Sequence, residues 1–138
     1  MTGSVTFSMI KPDAIQDGQV GQIIAMIEAR GFCLKALELT QLTLARAGQF
    51  YAMHKERPFY EQLCKYMASS PIIAMVLTKP NAVADFRALI GATDPAEAAP
   101  GTIRKRFGKS IEGNAIHGSD ADETALIETR FFFPKLSL

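Results

Sequence analysis

The stretch PIIAMVLT, residues 71–78, is a continuous apolar run of the length of one strand. Such a run is typical of a strand that has neighbouring strands on both of its edges. We therefore predict an inner strand here, and a sheet that continues to either side of it.

Two further segments earlier in the chain predict strands. In SVTFSMI, residues 4–10, apolar side chains alternate with Thr6 and Ser8, which is the period of a strand with one buried face. FCLKALEL, residues 32–39, reads as a second strand. A short strand is also expected close to His117.

Helices are expected between these strands. Isoleucines recur at helical spacing in QVGQIIAMIEARG, residues 19–31, and Gly31 is a natural stop. Thr43 predicts the cap of a helix that continues to residue 54, and Pro58 predicts the start of another that continues to residue 67. Asn81 predicts the cap of a helix whose apolar residues face inward, and a capped last helix is expected from about Ala121 to Arg130.

The order of these elements predicts an α/β architecture whose first part has the split βαβ pattern. This split βαβ pattern gives an antiparallel sheet with helices packed on one face. No repeat or linker divides the chain, so residues 1–138 are expected to form a single domain. The segment GATDPAEAAPG, residues 91–101, is long for a loop in a compact domain, which indicates a functional loop or a mobile surface loop.

Composition excludes several classes of function. Hydrophobic residues make up 48% and charged residues 21% of the 138 residues, and the formal net charge is +1, so nucleic-acid or membrane binding is not indicated. The two cysteines, Cys33 and Cys64, stand too far apart for a zinc motif. The N-terminus does not resemble a secretory signal and no apolar run would span a membrane, so we expect a cytoplasmic protein.

The segment NAIHGSDADE, residues 114–123, places a histidine directly before a helix-start signal. Asp120 and Glu123 have the spacing of a capping box, and Ser119 could cap the helix one residue earlier. Gly118 leaves room beside the His117 ring and permits unusual backbone angles. A turn with an incidental histidine is an equally good interpretation of this local pattern.

Other catalytic motifs are absent from the sequence. FGKS, residues 107–110, resembles the end of a phosphate-binding P-loop, but Ile103 stands where that motif requires glycine. Neither G-x-G-x-x-G nor G-x-S-x-G occurs, so a dinucleotide-binding fold and a hydrolase elbow have no support.

A histidine and scattered cations remain as candidates for chemistry. Neutral imidazole is a nucleophile near neutral pH when an acceptor holds its other nitrogen. Glu128 could be that acceptor, but it lies roughly 12 Å along a helix from Asp120, and spacing does not show where it points. Lys11, Arg87 and Arg104 would form an anion pocket if the fold brought them together, whereas each alone reads as a solvated charge.

The order of several motifs resembles the nucleoside diphosphate kinase family. NAIHGSD is similar to the active-site signature of that family, and MIKPDAI, RPFY, PGTIR and SSPIIAMVL are similar to further segments in the same order. The resemblance covers roughly residues 6–132. It implies the ferredoxin-like α/β sandwich, with the βαββαβ arrangement, and transfer of the γ-phosphate of ATP, or of another nucleoside triphosphate, to a nucleoside diphosphate. It also implies a ping-pong mechanism through a phosphohistidine, with Mg²⁺ as cofactor.

The resemblance also implies a set of site residues. His117 would take the phosphate, and Ser119 and Glu128 would orient it. The residues expected to contact the nucleotide are Lys11, Tyr51, Phe59, Arg87, Thr93, Arg104 and Asn114. No cluster of carboxylates in the sequence would hold a metal alone, so Mg²⁺ is expected to arrive on the nucleotide phosphates.

Two expectations concern assembly and departures from the family pattern. A homo-oligomer is expected, with a hexamer favoured over a tetramer. Lys105 and Arg106 stand where many relatives have a small residue and an acid, which is expected to make the pocket rim more basic. A non-catalytic nucleotide-binding module is the alternative, but such a relative would have lost the histidine or its partners, and this chain keeps them.

Overall fold

Four strands form one antiparallel sheet in the computed structural model, which describes residues 3–138. The strands are β1 (Val5–Ile10), β2 (Cys33–Thr40), β3 (Ile72–Thr78) and β4 (Ile116–Gly118). Their order is β2-β3-β1-β4, so β1 and β3 are the inner strands. The prediction that residues 71–78 form an inner strand is confirmed, as is the α+β sandwich of ferredoxin-like type.

Seven helices pack against this sheet. They are α1 (Pro12–Gln16), α2 (Val20–Ala29), α3 (Leu44–Phe50), α4 (Tyr60–Ala68), α5 (Ala82–Ile90), α6 (Ile103–Phe107) and α7 (Asp122–Phe132). A turn of 3-10 helix, Ala52–His54, lies between α3 and α4. None of these helices is long and apolar enough to cross a membrane, among the residues from 3 onward.

The helices lie on both faces of the sheet, so the expectation that they lie on one face was wrong. Along β3, Ile73, Met75 and Leu77 join an apolar cluster with residues of α2 and α5. The alternate residues of β3 join a second cluster with residues of α3 and α4. Because successive strand residues point to opposite faces, these clusters cover opposite sides of the sheet.

Because helices cover both faces of the sheet, the interpretation of β1 also changes. Its alternation predicts one polar face, but Thr6 and Ser8 are fully buried. The Ser8 hydroxyl donates to the backbone carbonyl of His117, 2.8 Å away. Ser8 therefore supports the neighbouring strand, and neither polar residue of β1 faces water.

The cap predictions have mixed outcomes. Thr43 caps α3 as expected, because its side chain accepts a hydrogen bond from the backbone N–H of Arg46. Asn81 precedes α5 in a left-handed conformation (φ 57°), without a side-chain cap. Helix α3 ends at Phe50 and not at residue 54, and α4 begins at Tyr60, two residues beyond Pro58.

Candidate functional site

A cavity of about 570 Å³ opens where β4, the α3–α4 hairpin and the segment after α5 meet. Nine of the ten site residues predicted from the sequence line it: Lys11, Tyr51, Phe59, Arg87, Thr93, Arg104, Asn114, His117 and Glu128. The tenth, Ser119, lies behind Glu128 and bonds to it. The fold therefore brings together residues that are spread over more than a hundred positions of sequence.

The ring of His117 is held by a carboxylate on the last helix. Its Nε2 atom lies 3.0 Å from Oε1 of Glu128. Phe50 meets the ring edge-on with centroids 5.7 Å apart, and Phe7 lies 6.1 Å away. Glu128 thus faces back toward His117, which sequence spacing did not reveal.

Ser119 fixes the carboxylate of Glu128 in turn. Its hydroxyl lies 2.7 Å from Oε1 of Glu128, and it also accepts a hydrogen bond from the backbone N–H of Phe7 on β1. A carboxylate can only accept, so Ser119 and the Nε2–H of His117 are both donors to Glu128. In the neutral imidazole this arrangement places the proton on Nε2 and leaves the lone pair of Nδ1 free, and no hydrogen bond to Nδ1 forms among residues 3–138.

Arg104 is the most deeply anchored cation of the cavity. Its guanidinium donates to the carbonyls of Gly91 (3.0 Å) and Ile116 (2.8 Å), while its buried Nε has no partner within the described residues. Burial, together with the nearby charge of Arg87, lowers the pKa of Arg104 to about 10, so it is still a cation at neutral pH. A buried N–H without a partner is costly, and the guanidinium that carries it belongs to a side chain that lines the cavity, where a positive charge suits an anion.

Lys11 approaches the same region from the end of β1. Its ammonium donates to the side-chain oxygen of Asn114 (3.0 Å) and to the carbonyl of Glu112 (2.8 Å). Burial lowers the pKa of Lys11 to about 8, which the carboxylate of Asp13 opposes and Arg104 reinforces. An ammonium has three donors, so one remains for a ligand.

The other end of the cavity is largely apolar. Met53, Phe59, Leu63 and Ile111 line it, and the ring of Phe59 lies 5.6 Å from the ring of His54. Of these four residues, only Phe59 was predicted from the sequence. Met53 lies in the single turn of 3-10 helix and Ile111 lies in a loop, so neither belongs to a periodic apolar pattern.

Tyr51 lies at the boundary between the two ends. Its side chain is buried, and burial together with the charge of Glu128 raises the pKa of its hydroxyl. The hydroxyl therefore stays protonated at neutral pH, as a potential donor to a ligand.

Asp120 lines the cavity and does not cap α7, so the capping-box prediction was wrong. The residue at the N-cap is Ala121, and no side chain caps this end of the helix. Asp120, to which the sequence assigned only a capping role, is therefore a cavity residue.

Lys105 and Arg106 do not make the cavity rim more basic, in contrast to the expectation. Lys105 reaches the carbonyl of Ala96, and Arg106 donates to the side chain of Gln22 on α2. Neither side chain lines the cavity. Both lie on the short helix α6, and of its three basic residues only Arg104 turns inward.

Gly118 has a different role from the one predicted. A Cβ atom at this position would lie 2.9 Å from Cδ1 of Ile90 and 3.0 Å from Cδ2 of Phe86. Glycine therefore allows β4 to lie close against α5, and the room it leaves is filled by that helix.

We expect Gly118→Ala to lower the free energy of unfolding by about 1–3 kcal/mol, because the methyl group overpacks the contact with α5. Chemical denaturation measures the change. Gly21→Ala is the matched control, since a Cβ there meets nothing within 4 Å. It should change stability by less than about 1 kcal/mol, in the stabilising direction. Equal stability of the Gly118→Ala variant and the parent protein would contradict the packing role.

The carboxylates of the cavity suit a magnesium ion only if a bound substrate supplies further oxygen ligands. No group of three or more His, Cys, Asp or Glu side chains that could hold a metal occurs in the described part of the chain. Asp120 and Glu112 line the cavity, and Glu128 is engaged with His117 and Ser119. Magnesium commonly takes one or two carboxylates together with substrate phosphates and water, which suits this set.

Comparisons with known proteins agree with one another. Residues 4–138 match the family model described as nucleoside diphosphate kinase. The chain is 54% identical to the nucleoside diphosphate kinase of Flavobacterium psychrophilum over 133 residues, which is 96% of each chain. It is 53% identical to that of Trichlorobacter lovleyi, again over 96% of each chain. A crystal structure of the Aquifex aeolicus nucleoside diphosphate kinase superposes with a TM-score of 0.93 at 41% identity, over 94% of each chain.

Proposed function

The chain belongs to the nucleoside diphosphate kinase family, and we propose that it transfers the γ-phosphoryl group of a nucleoside triphosphate to a nucleoside diphosphate through a phosphohistidine at His117. As a member of this family it is a phosphotransferase that acts on nucleotides. The observation that carries the finer proposal is the ring of His117, held at Nε2 by Glu128 with Nδ1 left free.

In the first half-reaction, the lone pair on Nδ1 attacks the γ-phosphorus of the triphosphate. The bond from that phosphorus to the bridging oxygen breaks, and the electron pair leaves with the diphosphate. The imidazole gains positive charge as the N–P bond forms, and the carboxylate of Glu128 stabilises that charge through the Nε2–H. In the second half, a terminal oxygen of the incoming diphosphate attacks the same phosphorus and neutral His117 departs.

The cations of the cavity supply charge stabilisation during both halves. Phosphoryl transfer depends mainly on positioning and on electrostatic stabilisation of the moving group. Arg104 is pre-oriented by two backbone carbonyls, and Lys11 by Asn114 and Glu112. Because these bonds exist before the nucleotide binds, little reorganisation is needed when it does.

The remaining predicted residues are assigned by their place in the cavity. Arg87, Thr93 and Tyr51 line the cavity outside its apolar end and would contact phosphate or sugar oxygens. When bound on the nucleotide phosphates, Mg²⁺ would neutralise charge there as a Lewis acid. Asp120 is the carboxylate that would face such an ion.

The apolar end of the cavity suits a nucleobase of any identity. Phe59 is half-exposed at the start of α4 and offers a ring face on which every base can stack. Of its neighbours, Leu63 and Ile111 carry no donor or acceptor and Met53 only a weakly accepting sulfur. His54 is the one neighbour beside Phe59 with ring nitrogens, and a single imidazole does not supply the paired contacts that distinguish one base from another. We therefore propose broad acceptance of purine and pyrimidine nucleotides.

We expect the affinity for a nucleoside diphosphate to fall as the pH rises above about 8, because Lys11 must be protonated to bind phosphate. Below pH 8 both the free and the bound protein hold this proton. Above it the free protein has lost the proton that the complex keeps, so the loss of affinity approaches about tenfold per pH unit.

Calorimetry in two buffers of different ionisation enthalpy measures the linked proton. The parent protein should take up nearly one proton on binding at about pH 9 and almost none at about pH 7. Lys11→Met should bind more weakly and show no uptake at either pH. Equal proton uptake by the parent and by Lys11→Met would contradict the assignment.

Transfer of a radiolabel tests the proposed function. The protein is incubated with γ-labelled ATP, freed of nucleotide by gel filtration, and then given an unlabelled diphosphate. Label should remain on the protein after the first step and move to the diphosphate in the second. Transfer that requires both nucleotides to be present together would contradict the two-step reaction.

Assembly and location complete the proposal. A homo-oligomer is supported by the apolar side chains that the edge strand β2 exposes, and the preference for a hexamer over a tetramer follows from the family resemblance alone. Leu37 and Leu39 of that strand are 47% and 63% exposed. A cytoplasmic location remains part of the proposal as well.

A further inference from the structure

The backbone just before His117 adopts a strained turn. Ala115 is fully buried and has φ 74°, a region that side chains other than glycine rarely occupy. The N–H of Ile116 bonds to the carbonyl of Asn114 across it, 2.9 Å away. This is a γ-turn with positive φ, a rare conformation that persists only where its surroundings enforce it.

The start of α1 holds both backbone polar groups of Ala115. The carbonyl of Ala115 accepts from the backbone N–H of Lys11 at 2.9 Å, and its N–H donates to Oδ2 of Asp13 at 3.0 Å. Both partners come from residues more than a hundred positions earlier in the chain. The strained residue is thus secured from outside its own segment.

Tyr66 on α4 secures Asp13 in turn. Its hydroxyl donates to Oδ1 of Asp13 and accepts from the backbone N–H of Asp13 at 3.1 Å. Burial, followed by this bond to Asp13, raises the pKa of the Tyr66 hydroxyl, so it remains a donor at any working pH. Neither Asp13 nor Tyr66 lines the cavity.

The same contacts reach the groups on both sides of the turn. Asn114 precedes Ala115 and bonds to the ammonium of Lys11, which lies 5.8 Å from the centre of the Tyr66 ring. His117 follows two residues later. A change in the turn would therefore move His117, the proposed nucleophile, relative to the ammonium of Lys11.

We propose that Asp13 and Tyr66 are positioning residues that hold the Ala115 turn in its strained form, and thereby set His117 and Asn114 against Lys11. This inference rests on the proposed function, because the positioning matters only if His117 reacts with phosphate. Asp13 and Tyr66 do not line the cavity, so their proposed role concerns the rate of phosphohistidine formation and not nucleotide affinity.

Tyr66→Phe tests this role, with Tyr60→Phe as the matched control. Tyr60 lies on the same helix, and its hydroxyl donates to the carbonyl of Gly48, remote from the turn. Rapid quench with saturating labelled ATP gives the rate of phosphohistidine formation, calorimetry gives the dissociation constant for ADP, and thermal melting verifies folding. Asp13→Asn is the second variant, because an amide oxygen cannot replace both carboxylate oxygens as acceptors.

Tyr66→Phe and Asp13→Asn should form phosphohistidine about tenfold or more slowly than the parent, and Tyr66→Phe should keep the ADP affinity within about twofold. Tyr60→Phe should keep the parent rate within about twofold. Glycine adopts a positive φ without penalty, so adding Ala115→Gly to Tyr66→Phe should return the rate to within about threefold of the parent. If Tyr66→Phe acted only by loosening α4, adding Ala115→Gly would not restore the rate.

A parent rate in Tyr66→Phe, an equal loss in Tyr60→Phe, or no recovery with Ala115→Gly would overturn the inference. These outcomes can be distinguished from a failure of the proposed function by the behaviour of the parent protein. If the parent protein itself forms no phosphohistidine, both proposals fall. If it does, and only the variants disagree, the positioning role alone is contradicted.

Discussion

Replacing His117 with alanine is expected to lower phosphoryl transfer by at least about a thousandfold, because the variant has no nucleophile at the centre of the cavity. Nucleotide should still bind, since Arg104, Lys11 and the apolar end of the cavity remain. Steady-state transfer from ATP to a second diphosphate gives the rate, and calorimetry with ADP gives the affinity.

His54→Ala is the matched control for this prediction. His54 is the other histidine of the chain and also lines the cavity, but it lies beside Phe59 at the apolar end. The control should still form a phosphoenzyme with ATP. Substantial transfer activity in His117→Ala, or loss of phosphoenzyme in His54→Ala alone, would place the nucleophile elsewhere.

Arg104→Ala is expected to reduce kcat/KM by about a hundredfold to a thousandfold, because it removes a pre-oriented cation from a buried site. It should also lower the free energy of unfolding by about 1–3 kcal/mol, since the carbonyls of Gly91 and Ile116 lose their donor. Arg104→Lys should give an intermediate rate, because lysine keeps the charge but lacks the planar fork.

Arg106→Ala is the control for Arg104. It lies two residues later on the same short helix and bonds at the surface to Gln22. Its removal should change kcat/KM by less than about twofold. Similar losses in the two variants would mean that the charge of α6 as a whole, and not the anchored guanidinium, sets the rate.

Local patterns were enough to predict much of the fold. The apolar run at residues 71–78 identified an inner strand, and Thr43 identified a helix start, because both depend on neighbouring residues alone. The starts of α5 and α7 were predicted from side-chain caps by Asn81 and Asp120, and neither cap forms. Helix α5 nevertheless begins at Ala82, directly after Asn81, whereas α7 begins at Asp122, two residues after Asp120. The cover on both faces of the sheet was missed because the polar residues of β1 suggested an exposed side.

The convergence of the site residues could not be predicted from spacing. Lys11 and Asn114 are 103 positions apart, and only the pairing of β1 with β4 brings them together. The resemblance to a family supplied the residue set, and the fold supplies the reason for it. The contacts of Asp13, Tyr66 and Ala115 carried no local signal at all, since each involves a partner from another part of the chain.

The most direct measurement of phosphohistidine formation is peptide mass spectrometry of the protein after incubation with ATP. One phosphoryl group per chain should appear on His117, should be lost in acid, and should survive in alkali, as the N–P bond of a phosphoramidate does. Adding a nucleoside diphosphate should remove it. Phosphate on Ser119, or an unmodified His117 in a protein that still transfers phosphate, would contradict a reaction that passes through this histidine.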